Sequence, residues 1–485
     1  MGSVTTSCCN NLPSAEAQPE VVDAKIQKEL TLGNFAGPFN SRPFPTMQIS
    51  PLGLIEKKTP GTYRLIHHLS HPQGHSVNDN IPPEKSSVRY ASVEEAIYSI
   101  KQLGKGCYMA KTDIASAFRI IPVMPAQYPL LGFQWKKKFY FDKCLPMGCS
   151  SSCNIFENFS RALHWIANEK LGIHHMVHIL DDFLILDNTQ DGCLRKLNDF
   201  LRVCEDIGVP MAEDKTFLPA TVMTFLGYEL DTDLMEVRLP LDKLGTCFEL
   251  IQNCLQKPKI TLHNLQSIIG TLNFACGVVL PGRAFLRRLI SLTIGVSHAQ
   301  HHIRLSKVVK SDLILWSRFL QNFNGRSFFL PDRWLNSDTL NLFTDAASTV
   351  GYGAVLGSKW FHGVWNEEWK DKNITLLELY PVVIAIQIWG RLLANNCINI
   401  HTDNMALVHI INKQTCKEPD IMYLVRRLVL TCLQHNILFR ARHVPGLQND
   451  LADALSRQQV HRFLQLSPYA EAVPEPVPKL PTLTD

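Results

Sequence analysis

Residues 178–187 read His-Ile-Leu-Asp-Asp-Phe-Leu-Ile-Leu-Asp, and the two adjacent carboxylates, Asp181 and Asp182, decide how the chain is read. Ile179, Leu180, Phe183, Leu184 and Ile185 surround them, a pattern that predicts two short strands meeting at an acidic turn. Neighbouring anions repel, and burying either one unpaired costs several kcal/mol. A bound divalent cation removes that cost, so the segment points to metal-assisted phosphoryl chemistry. An exposed hairpin turn, where Asp is common, is the alternative this segment leaves open.

A second acidic position supports the first reading. Lys111-Thr-Asp-Ile-Ala-Ser-Ala-Phe118 follows the apolar Cys107–Ala110. This predicts a strand ending at Asp113 and a helix beginning at Ala117–Phe118. Asp113, Asp181 and Asp182 would then converge on two cations, which stabilise the attacking and leaving oxygens of an in-line displacement at phosphorus. Taken alone, Asp113 also suits a helix N-cap.

The bulk composition sets the frame. The chain has 485 residues, of which 46% are hydrophobic and 19% charged, the make-up of a globular protein with two to four domains. No stretch has the long uncharged apolar run of a membrane helix. The N-terminus lacks a charged region followed by an apolar one, so the chain is expected to be intracellular, in cytoplasm or nucleus, and not secreted. Fourteen scattered cysteines then read as reduced thiols. Cys144, Cys149 and Cys153, and likewise His174, His175 and His178, lack a second pair at zinc-ligand spacing. A net charge of +4 permits nucleic-acid binding without demanding it.

Along the chain, residues 1–48 are polar and proline-punctuated and are expected to be flexible or loosely packed. Residues 49–240 mix short β-like runs with helical stretches, an α+β pattern. From Asp242 to Phe323 strand signals vanish, which predicts a helical region over 241–337. Alternating strands and helices return over 338–458. Residues 459–485 are proline-rich and read as an extended tail or linker.

In order, the motifs of the first half are Lys57-Lys-Thr-Pro-Gly-Thr-Tyr-Arg64, Ser76-Val-Asn-Asp79, Asp113 to Phe118, Leu145-Pro-Met-Gly148, Leu180-Asp-Asp182, Lys215 and Phe225-Leu-Gly-Tyr228. This series resembles the fingers and palm of retroelement reverse transcriptases. The phrase from Tyr63 to Asp79 looks most like the DIRS-type (tyrosine-recombinase) retrotransposons. The resemblance implies that Asp113, Asp181 and Asp182 hold two Mg2+ or Mn2+ ions and that dNTPs are the substrates. It implies that Phe118 is the aromatic gate against a ribose 2′-hydroxyl, with a core aromatic as the alternative. Lys57 and Arg64 match residues that grip the incoming triphosphate, Arg by bidentate contact and Lys as a point charge. Lys57 also reads as a solvated lysine. Lys215 matches a lysine near the pyrophosphate leaving group. Two positions depart from the family. Ile179 stands where an aromatic is usual, and Met147 stands where many members carry a Gln that touches the nucleotide.

The second half carries a second acidic series. Asp345 ends a predicted strand, and Glu378 is the one acidic residue of a long apolar helix, Ile374 to Trp389. Asp403 ends another strand, and Asp453 lies early in a helix after a glycine-containing loop. Asp, Glu, Asp, Asp in this order makes a second carboxylate cage for two metals. The pattern resembles the α/β RNase H fold over 338–458, with His443 as the mobile histidine that assists product release. Asp450 competes with Asp453 for the fourth place; the register of His443-Val-Pro-Gly and Ala452-Asp-Ala-Leu-Ser456 favours Asp453. Between the halves, 241–337 would be thumb and connection. There Arg283, Arg287, Arg288, Lys307 and Lys310 are candidate contacts to a hybrid duplex or simply a solvated basic face.

Together these readings predict an RNA-directed DNA polymerase with RNase H activity, acting on an RNA template, a DNA primer and the RNA–DNA hybrid, with no membrane partner. A recombinase of the same element is the further partner the resemblance implies. A catalytically silent, host-adopted nucleic-acid binder and a nuclease with a defective polymerase half are the rival readings.

Overall fold

The computed structural model of the protein describes residues 9–57, 61–322, 327–328, 335, 340, 342–394, 396–402, 404–435, 437–443 and 449–478. The chain divides into two compact units, Met1–Leu226 with Leu230–Leu234, and Gly227–Glu229 with Met235–Asp485.

The main elements of the first unit are α1 (Pro19–Thr31), β1 (Phe35–Phe39), β2 (Leu52–Glu56), β3 (Tyr63–His67), α2 (Val93–Leu103), β4 (Tyr108–Asp113), β5 (Gly132–Trp135), β6 (Lys138–Asp142), α3 (Ser152–Leu171), β7 (Met176–Ile179), β8 (Asp182–Asp187), α4 (Gln190–Asp206) and β9 (Phe217–Ala220). Phe183, Leu184, Ile185 and Leu186 of β8 are all fully buried. A run with no polar alternation suits a strand covered on both faces. It lies inside a four-stranded sheet ordered β7-β8-β4-β9. Phe156 of α3 and Leu197 and Phe200 of α4 pack on this sheet beside Ala110, Phe183 and Ile185.

Local signals fix the helices. Ser92 and Glu95 form a reciprocal capping box at the start of α2. The Thr189 side chain accepts from the Gly192 amide to open α4. Gly172, at φ 66°, closes α3 in the left-handed region.

A second layer of the first unit contains the sheet β1-β6-β5 and the hairpin β2-β3. Here the structure departs from the flexible or loosely packed segment suggested by composition. Residues 19–31 are helical, and Val22 and Ile26, one turn apart, enter a core with Phe35, Phe133 and Trp135. Two buried apolar positions suffice to dock α1, but they are too few to mark a helix in a polar stretch.

The second unit contains α5 (Leu241–Gln256), β10 (Lys259–Thr261), α6 (Leu262–Ala275), β11 (His302–Arg304), α7 (Lys307–Asn322), β12 (Leu342–Ala346), β13 (Gly351–Leu356), β14 (Lys359–Val364), α8 (Ile374–Trp389), β15 (Cys397–Thr402), α9 (Met405–Lys413), α10 (Pro419–Gln434), β16 (Leu438–His443), α11 (Asp450–Ser456) and α12 (Val460–Leu466). The stretch read as purely helical also holds an antiparallel pair, with Lys259 opposite Arg304 and Thr261 opposite His302. Strands of three residues are too short to leave a periodic trace. Further on, β12-β13-β14 form an antiparallel sheet, and β15 pairs in parallel with β16. Helix α8 is buried on nearly every side, as its uniformly apolar sequence requires.

Buried charge joins the two parts of this unit. Asp312 of α7 sits 3.0 Å from Arg288 and 3.6 Å from Arg426 of α10. Arg288 is therefore committed to an internal pair, which weakens its reading as a nucleic-acid contact. The proline-rich end also packs: the Trp360 indole donates to the Glu471 carbonyl at 2.7 Å, and the Glu475 amide donates to the Trp360 carbonyl at 2.8 Å.

Candidate active site

Strands β4 and β8 run antiparallel in a register that sets Asp113 directly opposite Asp182. In the β7–β8 hairpin Ile179 faces Asp182, so Leu180 and Asp181 form a two-residue turn. Leu180 has φ 51°, a left-handed conformation that costs a non-glycine residue roughly 1–2 kcal/mol. Its amide donates to Glu157 Oε2 at 3.3 Å, and the Asp181 carbonyl accepts from the Ile114 amide at 2.9 Å. The first contact ties the turn to α3 and the second holds it against the end of β4. The two alternatives for this segment meet here. It is a hairpin turn, yet Asp181 and Asp182 are half-buried and Asp113 is buried.

Two lysines meet this charge. Lys215 Nζ donates to Asp113 Oδ1 at 2.8 Å, and Lys111 Nζ lies 3.2 Å from Asp182 Oδ1. Burial raises the Asp181 carboxyl above its ordinary range, and the nearby Asp113 adds to the rise. Burial also raises Asp182, against the opposing pull of Lys111. The hydrogen bond to Asp113 holds Lys215 above the usual lysine value. Among the described residues no three His, Cys, Asp or Glu side chains are gathered as a ready-made metal cage. Lys215 hydrogen-bonds Asp113, and Lys111 offsets the charge of Asp182 as an ion pair.

The other expected residues surround this centre. Phe118 lies on the short turn Ala117–Ile120 that follows β4, half-buried and edge-on to Phe156 with ring centroids 5.3 Å apart. The expected helix start is thus a single tight turn, entered through Ser116 in the left-handed region. Met147 is half-buried beside Gly148. At φ 124°, a Cβ on Gly148 would sit 2.2 Å from the His67 carbonyl oxygen, so this glycine is obligatory. Asn78 pins the same loop: its amide donates to the Gly148 carbonyl at 2.8 Å and its oxygen accepts from the Ser150 amide at 2.9 Å. Arg64 and Lys57 are exposed at the loop end of the β2–β3 hairpin, where Arg64 faces Ile55.

Sequence reading missed Lys111, Glu157, Asn78 as a loop anchor, and Arg119. A signal existed for Lys111: two residues before Asp113 on a strand, it shares that residue's face. Glu157 and Arg119 had none, since each acts through chain distant in sequence.

In the second unit Asp345 lies on β12 opposite Gly353, and its Oδ2 accepts from Ser456 Oγ at 2.5 Å. A Cβ on Gly353 would meet Leu455 Cβ at 2.3 Å, so the glycine lets α11 approach the strand. Asp453, on that helix, meets Arg457 at 2.6 Å and Arg462 at 3.5 Å. Its side chain is 32% exposed against 74% for Asp450. Glu378 is half-buried on α8, which packs on β12. His443 ends β16 opposite Thr402. Asp403 lies outside the described residues.

Residues 55–230 match the reverse transcriptase (RNA-dependent DNA polymerase) family. The chain carries a reverse transcriptase domain. The Transposon Tf2-3 polyprotein of Schizosaccharomyces pombe is 22% identical over 429 residues, which cover 84% of this chain and 29% of the polyprotein. The Pro-Pol polyprotein of feline foamy virus is 28% identical over 173 residues, covering 36% of this chain and 14% of its own length. The structure of a foamy viral protease-reverse transcriptase dRH in complex with double-stranded DNA aligns at a TM-score of 0.55 and 17% identity, covering 92% of this chain and 73% of that one. A foamy viral protease-reverse transcriptase in complex with an RNA/DNA hybrid aligns at 0.54 and 16%, covering 92% and 56%. At that identity the likeness is one of fold. The chain spans 29% of the transposon polyprotein it matches. Among the described residues no helix is long and apolar enough to cross a membrane. Within the reverse transcriptase domain, the three aspartates occupy the end of the central strand pair.

Proposed function

We propose that the chain is an RNA-directed DNA polymerase with a second, RNA-cleaving site, from a retroelement of the DIRS type. The observation that carries this reading is the register of β4 and β8. It sets Asp113 opposite Asp182, with Asp181 at the adjoining turn, inside the stretch that matches the reverse transcriptase family.

The donor set fits a divalent cation: hard carboxylate oxygens, partly withdrawn from water, with burial raising two of their pKa values. Mg2+ or Mn2+ held by Asp113, Asp181 and Asp182 would supply Lewis-acid charge to the phosphate oxygens and favour ionisation of the attacking hydroxyl. The protein's own groups do the rest. Arg64 and Lys57 bind the triphosphate of a dNTP from the hairpin end. Phe118 lies under the sugar and excludes a 2′-hydroxyl. Lys215 holds positive charge beside the departing pyrophosphate. Met147 offers the nucleotide an apolar contact and no amide. The primer 3′-hydroxyl then attacks the α-phosphorus in line.

For the second site the reading assigns Asp345, Glu378, Asp403 and Asp453 as metal-binding carboxylates and His443 as an assistant to release, in an RNase H-like domain over 338–458. Support comes from the packing of α8 and α11 on the strand that carries Asp345. The remaining divisions are 1–48 as an N-terminal segment, 49–240 as fingers and palm, 241–337 as thumb and connection, and 459–485 as the tail. The proposed partners are an RNA template, a DNA primer, their hybrid and a recombinase of the same element, in cytoplasm or nucleus.

The test is extension of a DNA primer on an RNA template by the purified chain with dNTPs and Mg2+ or Mn2+. Extension by the wild type and its loss in the Asp181→Asn, Asp182→Asn double variant are expected. Hybrid binding with no extension under either metal would overturn the reading in favour of a silent binder.

A further inference from the structure

Arg119 directly follows Phe118, and no motif of the sequence claims it. Its side chain is only 12% exposed. The guanidinium grips Asp142 with two parallel bonds, Nη1 to Oδ2 and Nη2 to Oδ1, both at 2.9 Å. Its Nε donates to Glu29 Oε2 of α1 at 3.0 Å, and Nη1 also donates to the Leu145 carbonyl at 3.3 Å. The Phe35 ring lies 5.3 Å from the guanidinium carbon. Asp142, 3% exposed, also accepts from the Cys144 amide at 3.0 Å. Burial opposes the Arg119 charge, but Asp142 outweighs it and holds the pKa above the ordinary arginine value.

These contacts join two pieces of chain. One is the turn Ala117–Ile120, which carries Phe118. The other is the start of Leu145-Pro-Met-Gly148. The backbone joins them as well, through the Leu145 amide to the Ile121 carbonyl at 2.9 Å and the Val123 amide to the Lys143 carbonyl at 2.9 Å. Leu145, Phe118 and Phe156 share one core cluster. A buried ion pair is an inefficient source of stability, because desolvation offsets most of its attraction. What a bidentate fork supplies is fixed geometry.

We propose that Arg119 is a positioning residue for sugar selection: it locks the turn bearing Phe118 to the loop bearing Met147 and so sets how deep the nucleotide's ribose can sit. The inference rests on the polymerase reading above. Excluding one extra oxygen demands a ring that cannot retreat. The Arg119 clamp removes that freedom from the backbone on which Phe118 rides. Lysine cannot replace it, since an ammonium has no planar fork to span Asp142 while also meeting Glu29 and Leu145.

The test measures single-nucleotide extension of a primer with a dNTP and with the matching rNTP, for the wild type, Arg119→Lys and Asp142→Asn, with thermal unfolding followed in parallel. The kcat/KM ratio of dNTP to rNTP is expected to fall about tenfold or more in Arg119→Lys, chiefly because the rNTP is better used. An unchanged ratio, with both substrates slowed alike, would mean that Arg119 only stabilises the scaffold and would overturn the proposal. If Arg119→Lys does not fold, Glu29→Gln, which weakens the clamp from its outer side, is judged by the same ratio. A wild type that extends no primer would instead sink the polymerase reading and this inference with it.

Discussion

Asp181 shows how function sets a cost at one residue. Its carboxyl is raised by burial and by Asp113, so the folded state binds its proton more tightly than the unfolded chain does. The stabilising contribution is full below the ordinary carboxylate pKa and is lost as pH climbs through the raised value. At neutral pH the charged group therefore works against folding. Asp181→Asn is expected to raise the melting temperature at pH 7, with a smaller gain at pH 4, as differential scanning calorimetry at both pH values would record. An equal gain at both would show that burial of the charge is not the cause. Such a trade between stability and activity is common where a site concentrates like charge. The acidic pair itself was legible as two strands meeting at an acidic turn, although the segment alone left an exposed hairpin turn open; burial of the flanking strand separates the two. Lys111 was legible in principle, through the two-residue period of a strand. Arg119 was not, because its partners Glu29 and Asp142 lie in other elements, and one sequence records no contact between them.

At the scale of elements, the residues that show periodicity were readable and those that act through a few long-range contacts were not. Strands β4, β7 and β8 and helices α2, α3 and α8 follow from apolar runs and capping residues. Helix α1 did not, because its docking depends on Val22 and Ile26 alone. The pair β10–β11 did not, because its strands are three residues each and are joined through α6. The contact between α7 and α10 belongs to the same class. Arg426, 8% exposed, donates to the Ala284 carbonyl at 3.1 Å and faces Asp312, which is 4% exposed. Burial drives the Arg426 pKa down to about 10, with Asp312 opposing. Arg426→Ala strands a buried carboxylate beside Arg288 alone and is expected to cost about 3–5 kcal/mol. Urea unfolding of the full chain would report it as a lower midpoint. Pairing Arg426→Met with Asp312→Leu, which removes both charges and retains bulk, should recover much of the loss. A midpoint unmoved by Arg426→Ala would show that this triad does not tie the helices together.

At the scale of the whole molecule, the first compact unit gathers three aspartates at the end of a strand pair, and the second carries the carboxylates proposed for RNA cleavage, with Asp345 on a strand against which helices pack. In the first unit β4 and β8 bring their aspartates together in register. In the second, Ser456 and Gly353 bring α11 against Asp345. The alternation of strands and helices around Asp113, Asp181 and Asp182 was readable from the sequence, whereas α1 and the β10–β11 pair were not. Lys215 was singled out from the sequence, but its ion pair with Asp113 and the arginine partners of Asp453 were not. The proposed division of labour, synthesis in one unit and RNA cleavage in the other, is tested in one tube. A DNA primer is extended on an RNA template with each strand separately labelled, using wild type, Asp182→Asn and Glu378→Gln. Asp182→Asn should abolish extension, by about 10³-fold or more, and still cut the RNA of a preformed hybrid; Glu378→Gln should do the converse. Loss of both activities in either variant, or full extension by Asp182→Asn, would contradict two independent carboxylate sites.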